Sequence, residues 1–140
     1  MDELKLVFDT SESGPAMGRV KSALLAHNFA ATGIAAYYPV NHYLRTARGE
    51  VMGGAIGLIW GGVLYISFLW VDEAVRGKGA GTRLMDAAEG CARERGCHMV
   101  ALDTHSFQAQ PFYEKRGYEV VATIDDYPRG HKKIYLKKML

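Results

Sequence analysis

The chain has little of what would mark a specialised protein. Only two of its 140 residues are cysteine, Cys91 and Cys97. Six positions apart, they match no zinc-ligand or redox spacing and read as reduced thiols of a cytoplasmic protein. The histidines (27, 42, 98, 105 and 131) form no cluster with them, so no metal site is expected. An excess of one charge is also lacking. Lys and Arg total 17 against 15 Asp and Glu, and a net +2 gives no bulk attraction to nucleic acid. Met1-Asp2-Glu3-Leu4-Lys5 carries acids in place of an apolar core and does not read as a secretory signal. The tract Val51–Val71 has membrane length on paper. Five glycines break it, with Gly61-Gly62 in the middle, so it reads as two strands and no membrane association is expected. Repeats and low-complexity tracts are missing as well. What is left is 49% hydrophobic and 23% charged, the composition of a soluble protein, read as one domain over residues 1–140.

The periodicity gives an order of elements. Leu4–Phe8 reads as a short strand. Met17, Val20, Leu24, Leu25 and Phe29 recur at helical spacing after Ser13-Gly14-Pro15. Ile34–Val40 reads as loop and Asn41–Arg48 as a strand. Val51–Trp60 and Val63–Val71 flank two glycines, the pattern of a β-hairpin. Val63, Tyr65, Ser67, Leu69 and Val71 are assigned to one face of the second arm, and Leu64, Ile66, Phe68 and Trp70 to the other. Both faces are largely apolar, which makes this strand central. Ala80–Arg95 is a helix with Leu84, Ala87, Ala88, Cys91 and Ala92 inward and Gly96 as its stop. A strand at Met99–Leu102, a helix at Gln108–Arg116, and strands at Tyr118–Ile124 and Lys132–Lys138 follow. The sum is a mixed α/β fold, a sheet with helices packed against it.

The segment between the hairpin and the first of these helices carries the chemistry. Val75-Arg76-Gly77-Lys78-Gly79-Ala80-Gly81-Thr82-Arg83 leads from a strand through glycines into a helix start, and no acid lies between Ala74 and Leu84. Converging amides and the positive end of a helix bind phosphate. The nucleotide-triphosphate loop requires Lys-Ser/Thr after its last glycine, and here Gly81 precedes Thr82-Arg83. The dinucleotide fingerprint requires G-x-G-x-x-G, and the spacing here is G-x-G-x-G. The segment does resemble the R/Q-x-x-G-x-G/A signature of the GNAT superfamily of acyl-CoA N-acyltransferases, with Arg76, Gly79 and Gly81 in register. A second segment, Ser106 to Tyr118, is similar to the family's N-x-x-A-x-x-F-Y-x-x-x-G-F/Y. Ala109, Phe112, Tyr113, Gly117 and Tyr118 match, and Ser106 stands at the family's asparagine.

The resemblance spans Val51–Leu140 and implies a mostly antiparallel central sheet, splayed at a coenzyme cleft and flanked by helices. It implies acetyl-CoA as co-substrate. Its pantetheine would bond to the strand end at Leu69, Trp70 and Val71, and its diphosphate to the amides of Arg76, Gly77, Lys78, Gly79, Ala80, Gly81 and Thr82. Ser106, Ala109 and Phe112 would border it, and Tyr113 would be the catalytic acid. The implied function is transfer of acetyl from acetyl-CoA to a primary amine, with a small-molecule amine as the partner. A protein lysine or N-terminus as acceptor, or a non-catalytic coenzyme A-binding module, are the alternatives. A homodimer through the last strands is compatible with the pattern but not dictated by it.

The proton acceptor stays open in the sequence. An alkylammonium near pKa 10.4 is neutral only about once in a few thousand molecules at pH 7, a deficit of about 4 to 5 kcal/mol. Asp103, Glu73, Asp72, Glu50 and His105 are candidates, each with an ordinary alternative as a cap or a solvated side chain. Asp125, Asp126, Tyr127 and His131 read as substrate contacts, and Ser67 and Tyr65 as residues that could guide a water.

Overall fold

Gly61 and Gly62 both sit at positive φ, 60° and 82°, the backbone of a type I′ turn that matches the twist of the strands it joins. They connect β2 (Val51–Trp60) to β3 (Val63–Val71), with the bounds that the hairpin pattern predicts. The computed structural model describes residues 3–35 and 37–140, which fall into two compact units, one ending at residue 36 and one running Tyr37–Leu140.

The first unit holds one helix, α1 (Pro15–Thr32). Pro15 occupies the first turn, where its missing N–H costs nothing, and Gly33 closes the helix in the left-handed conformation with its N–H on the Phe29 carbonyl at 2.8 Å. Leu4–Phe8 is not a strand: its alternation is right, but no ladder includes it, and alternation without a hydrogen-bonded neighbour does not make a strand.

The second unit is a six-stranded sheet in the order β1-β2-β3-β4-β6-β5. Its other strands are β1 (Tyr38–Arg45), β4 (Met99–His105), β5 (Glu119–Asp125) and β6 (Lys132–Met139). β1 starts earlier than expected and includes Pro39, which an edge strand tolerates because a missing N–H can face outward. All pairings are antiparallel except β3 with β4. A parallel pair needs a crossover, supplied by α2 (Ala80–Glu94). The short helix α3 (Gln110–Lys115) joins β4 to β5. Leu64, Ile66, Val100, Leu102, Ile134 and Leu136 form the buried sheet face, joined by Leu84, Met85, Ala88 and Ala92 of α2 and by Tyr113 and Tyr118.

Two further sequence assignments change. Ala87 is exposed, and Met85 and Glu89 take inward places on α2. Glu89 is 2% exposed, with its carboxylate held by Lys138 Nζ at 2.7 Å, Arg116 Nη2 at 2.8 Å and the Tyr118 hydroxyl at 3.0 Å. A buried carboxylate survives only with such partners, and they come from β6 and from the turn between α3 and β5, which helical periodicity cannot connect to α2. The other change is in β3. Ile56 pairs with Phe68 and Gly57 with Ile66, so Ser67 is an extra residue, a β-bulge. A bulge reverses the alternation beyond it. Leu69 therefore joins Leu64 and Ile66 on the core face, while Phe68 and Trp70 are turned outward and exposed.

Candidate active site

The parallel ladder between β3 and β4 holds only from Val63–Met99 to Ile66–Leu102. Beyond it β3 runs on to Val71 and β4 to His105 without pairing to each other, so the sheet opens as a wedge. Asp72 N–H bonds to the Met52 carbonyl at 2.8 Å, which fixes the alternation: Leu69 and Val71 turn their backbone polar groups away from β2, into the wedge. This is an interior strand edge offered to a ligand instead of a neighbour.

At the open end of the wedge a 3-10 turn (Glu73–Val75) and the glycine loop lead into α2. Asp72 accepts from the Ala74 N–H at 2.8 Å, so this acid caps the turn. Gly77 and Gly79 have φ of 74° and 76°, left-handed values that favour glycine, and a Cβ at either would meet nothing within 4 Å. Gly79 is the N-cap of α2 and supplies no capping side chain, and no acid lies in the first turn. The first amides of α2 therefore keep their donors uncapped. Gly81 sits 3.4 Å, measured from where a Cβ would stand, from the Phe112 ring, so α3 packs close to the start of α2.

The cleft between these parts has a volume of about 1120 Å³. Of the residues predicted from sequence, Leu69, Trp70 and Val71 line it from β3, and Arg76, Gly77, Gly79, Ala80, Gly81 and Thr82 line it from the loop and α2. Ala109, Phe112 and Tyr113 line it from the α3 side. Lys78 and Ser106 do not line it. Ser106 instead closes the sheet: its N–H reaches the Lys132 carbonyl at 2.9 Å, and its Oγ accepts from the Lys132 N–H at 3.0 Å. Arg76 lines the cleft, but its Nε donates to the Val71 carbonyl at 3.0 Å.

Tyr113 is 5% exposed. Burial, with a smaller contribution from Asp103, pushes its phenol up to about 12. Across the wedge, the Tyr65 hydroxyl donates to Asp103 Oδ2, and burial and that bond raise the Tyr65 pKa well above the usual tyrosine value. Lys133 Nζ lies 3.7 Å from Asp103 Oδ1. Desolvation opposes the Lys133 ammonium, but Asp103, Tyr127 and Tyr135 outweigh it and raise its pKa. Asp103 is the first β4 residue past the last β3 pairing, and it is the acid lining the cleft. Of the acids weighed from sequence, Glu50, Glu73, Asp125 and Asp126 do not line it.

Sequence reasoning missed Phe107, Gln108 and Lys133, all of which line the cleft. Gln108 Oε1 accepts from the His105 N–H at 2.9 Å and lies 3.0 Å from His105 Nδ1. A polar side chain two to four residues past a strand end was the available signal, since such side chains tie turns to strand termini. Lys133 gave none, because only β4–β6 pairing brings it beside Asp103.

Comparison with known proteins places the sequence and the fold in one family. Residues 19–118 match the family model described as the acetyltransferase (GNAT) family. The chain is 45% identical over 84 residues to the blasticidin-S acetyltransferase of Streptomyces morookaense, a match covering 59% of this chain and 62% of that protein. It is 32% identical over 119 residues to an acetyltransferase of Agrobacterium fabrum, covering 85% of this chain and 87% of that one. The crystal structure of an acetyltransferase from Bacillus cereus superposes with a TM-score of 0.82 at 33% identity, covering 94% of this chain and 98% of that one. The chain belongs to the GNAT family of acetyltransferases.

Proposed function

We propose that this acetyltransferase moves the acetyl group of acetyl-CoA onto the primary amine of a small molecule by direct attack on the thioester. The observation that carries the reading is the opening of β3 from β4 beside the uncapped start of α2. The pantetheine arm, which has amides of its own, pairs with the backbone of Leu69 and Val71 as a further strand would. The diphosphate rests on the amides of Ala80, Gly81 and Thr82, where an anion gains from both hydrogen bonds and the helix dipole.

The thioester then reaches toward the apex of the wedge, between Tyr113 on one side and Tyr65 with Asp103 on the other. The amine nitrogen forms a bond to the carbonyl carbon, the carbon–sulfur bond breaks, and the sulfur leaves as thiolate. With a phenol near 12 and a thiol near 8.5, full proton transfer from Tyr113 is uphill by roughly 5 kcal/mol. Tyr113 therefore stabilises the departing sulfur by hydrogen bonding. Handing a proton from a resting ammonium to an ordinary carboxylate costs roughly 9 kcal/mol, more than drawing a neutral amine from solution. Asp103 acts later, accepting the amine proton through Tyr65 once the new carbon–nitrogen bond has made that N–H acidic. A small-molecule acceptor is supported by the Streptomyces relative, a blasticidin-S acetyltransferase.

Calorimetric titration with acetyl-CoA, followed by thiol release across a panel of amines, tests the reading. Saturable binding with amine-dependent thiol release is expected. Lack of binding at millimolar acetyl-CoA would overturn it.

A further inference from the structure

We infer that the mouth of the cleft holds a subsite for a planar, conjugated ring, so that the preferred acceptor is a primary alkylamine that also carries an aryl or heteroaryl ring. This rests on the transferase reading above and names its substrate class. The His105 and Phe107 rings stack with centroids 5.3 Å apart and planes within 12°. His131 meets Phe107 edge-on at 4.9 Å, and Tyr127 tilts against His105 at 6.2 Å. These rings are not core. Phe107 is 56% exposed and Tyr127 47%; His105 and Phe107 line the cleft, and Tyr127 and His131 stand behind them, touching those rings from outside the lining. Apolar rings kept open to water beside a reaction centre mark a recognition surface.

The wall is also held in place. Gln108 Oε1 accepts from the His105 N–H and lies 3.0 Å from its Nδ1, so one side chain holds both the backbone and the ring of His105. In the loop between β5 and β6, Asp126 Oδ1 accepts from the Gly130 N–H at 2.8 Å, and the Tyr127 N–H reaches the His131 carbonyl at 3.2 Å. Lys133 Nζ sits 4.8 Å from the Tyr127 ring centroid. A ring face prepared before binding loses little side-chain freedom when it is used.

Charge argues for the same class. Asp103 is the acid that lines the cleft, and Lys133 compensates it at 3.7 Å. Among the described residues, the cleft thus offers a polycation or a lysine-rich peptide no uncompensated negative charge. Selection falls to the ring faces, which favour flat, polarisable partners in offset-stacked or edge-on contact.

The test pairs 3-phenylpropylamine with 3-cyclohexylpropylamine, equal in chain length and closely matched in basicity. The histidine ring C–H resonances are followed by NMR as each amine is titrated, and signals are assigned through His105→Gln and His131→Gln. The phenyl amine should shift the His105 and His131 signals at concentrations where the cyclohexyl amine does not. Phe107→Ala should raise its half-saturation about three- to tenfold. An equal response to both amines, no response to either, or a response that survives Phe107→Ala overturns the subsite. Because the readout needs no turnover, failure of the transferase reading appears separately, as absence of acetyl-CoA binding with the ring response intact.

Discussion

Arg76 Nε donates to the carbonyl of Val71 at 3.0 Å, so the guanidinium that opens the glycine signature clamps the last residue of the strand before it. The bond folds the loop back on β3 and occupies one of the outward-facing carbonyls of the wedge. Arg76→Ala should therefore lose about 1 kcal/mol of stability, a Tm decrease of roughly 4 °C, and weaken acetyl-CoA binding a few-fold. A loss of affinity above a hundredfold with Tm unchanged would make Arg76 a direct phosphate ligand instead. Thermal denaturation and calorimetry on the same sample decide it.

Gly79 allows charge and shape to be separated. Asparagine and aspartate are nearly isosteric, and both tolerate the left-handed backbone better than other residues do. Gly79→Asn should cost a few-fold in acetyl-CoA affinity. Gly79→Asp places a carboxylate at the start of α2, where the diphosphate is proposed to bind, and should cost at least about tenfold more at low ionic strength. Equal affinities for the two variants would remove the helix start as the anion site.

The hairpin, α2 and the glycine loop were legible in the sequence because their signals are local: two adjacent glycines, a helical stripe, a strand running into a glycine-rich turn. The bulge at Ser67 was not, because it exists only as a mismatch between β2 and β3, and it reverses the faces of Leu69, Phe68 and Trp70. Asp103 was visible as a candidate but not separable from the other acids. Its partners Tyr65 and Lys133 lie 38 and 30 positions away and reach it only through the strand order. Ser106 keeps its motif position but stands outside the cleft lining, because its hydrogen bonds go to β6.

Glu89 ties α2 to α3 and β6, and so fixes the helix whose start lines the cleft and is proposed to hold the diphosphate. Burial raises its pKa, but Lys138 and Arg116 prevail and hold it below the usual glutamate value. A depressed carboxyl stabilises the fold above its unfolded pKa, and that stability is lost as pH falls through the lower, folded value. The wild type should lose Tm steeply below about pH 4.5. Glu89→Gln should be destabilised by about 3 kcal/mol at pH 7 and show a shallower acid limb. Equal acid limbs, read from Tm between pH 3 and 7, would show that the network is not what titrates.

Tyr113→Phe removes the hydroxyl and keeps the packing. Since the phenol titrates near 12, it stays protonated through pH 10 and contributes no limb to the rate profile below that. The variant should lose roughly ten- to hundredfold in kcat at every pH from 6 to 10, with acetyl-CoA affinity within about threefold of wild type. A loss confined to alkaline pH would mean that Tyr113 titrates far lower than its burial implies. An unchanged kcat would end its catalytic assignment.

Asp103 and Tyr65 are hydrogen-bonded to each other in the cleft, and their proposed role in proton transfer is testable by pH. If Asp103 accepts the amine proton through Tyr65, then Asp103→Asn and Tyr65→Phe should both lower kcat/KM for the amine by at least about a hundredfold at pH 7. Neither should alter acetyl-CoA affinity more than a few-fold, since the proposed coenzyme contacts lie on Leu69, Val71 and α2. Wild type and variants alike draw the neutral amine, so its tenfold growth per pH unit cancels in their ratio. Without an internal acceptor the variants lean on solution base, so their deficit should shrink as hydroxide rises from pH 7 toward 10. Asp103→Asn also releases Lys133, which leaves an unpaired ammonium in the cleft. Asp103→Asn combined with Lys133→Met removes both charges and should show the same kinetic defect if proton transfer is the cause. Recovery of wild-type rates in the double variant would assign Asp103 to charge compensation alone.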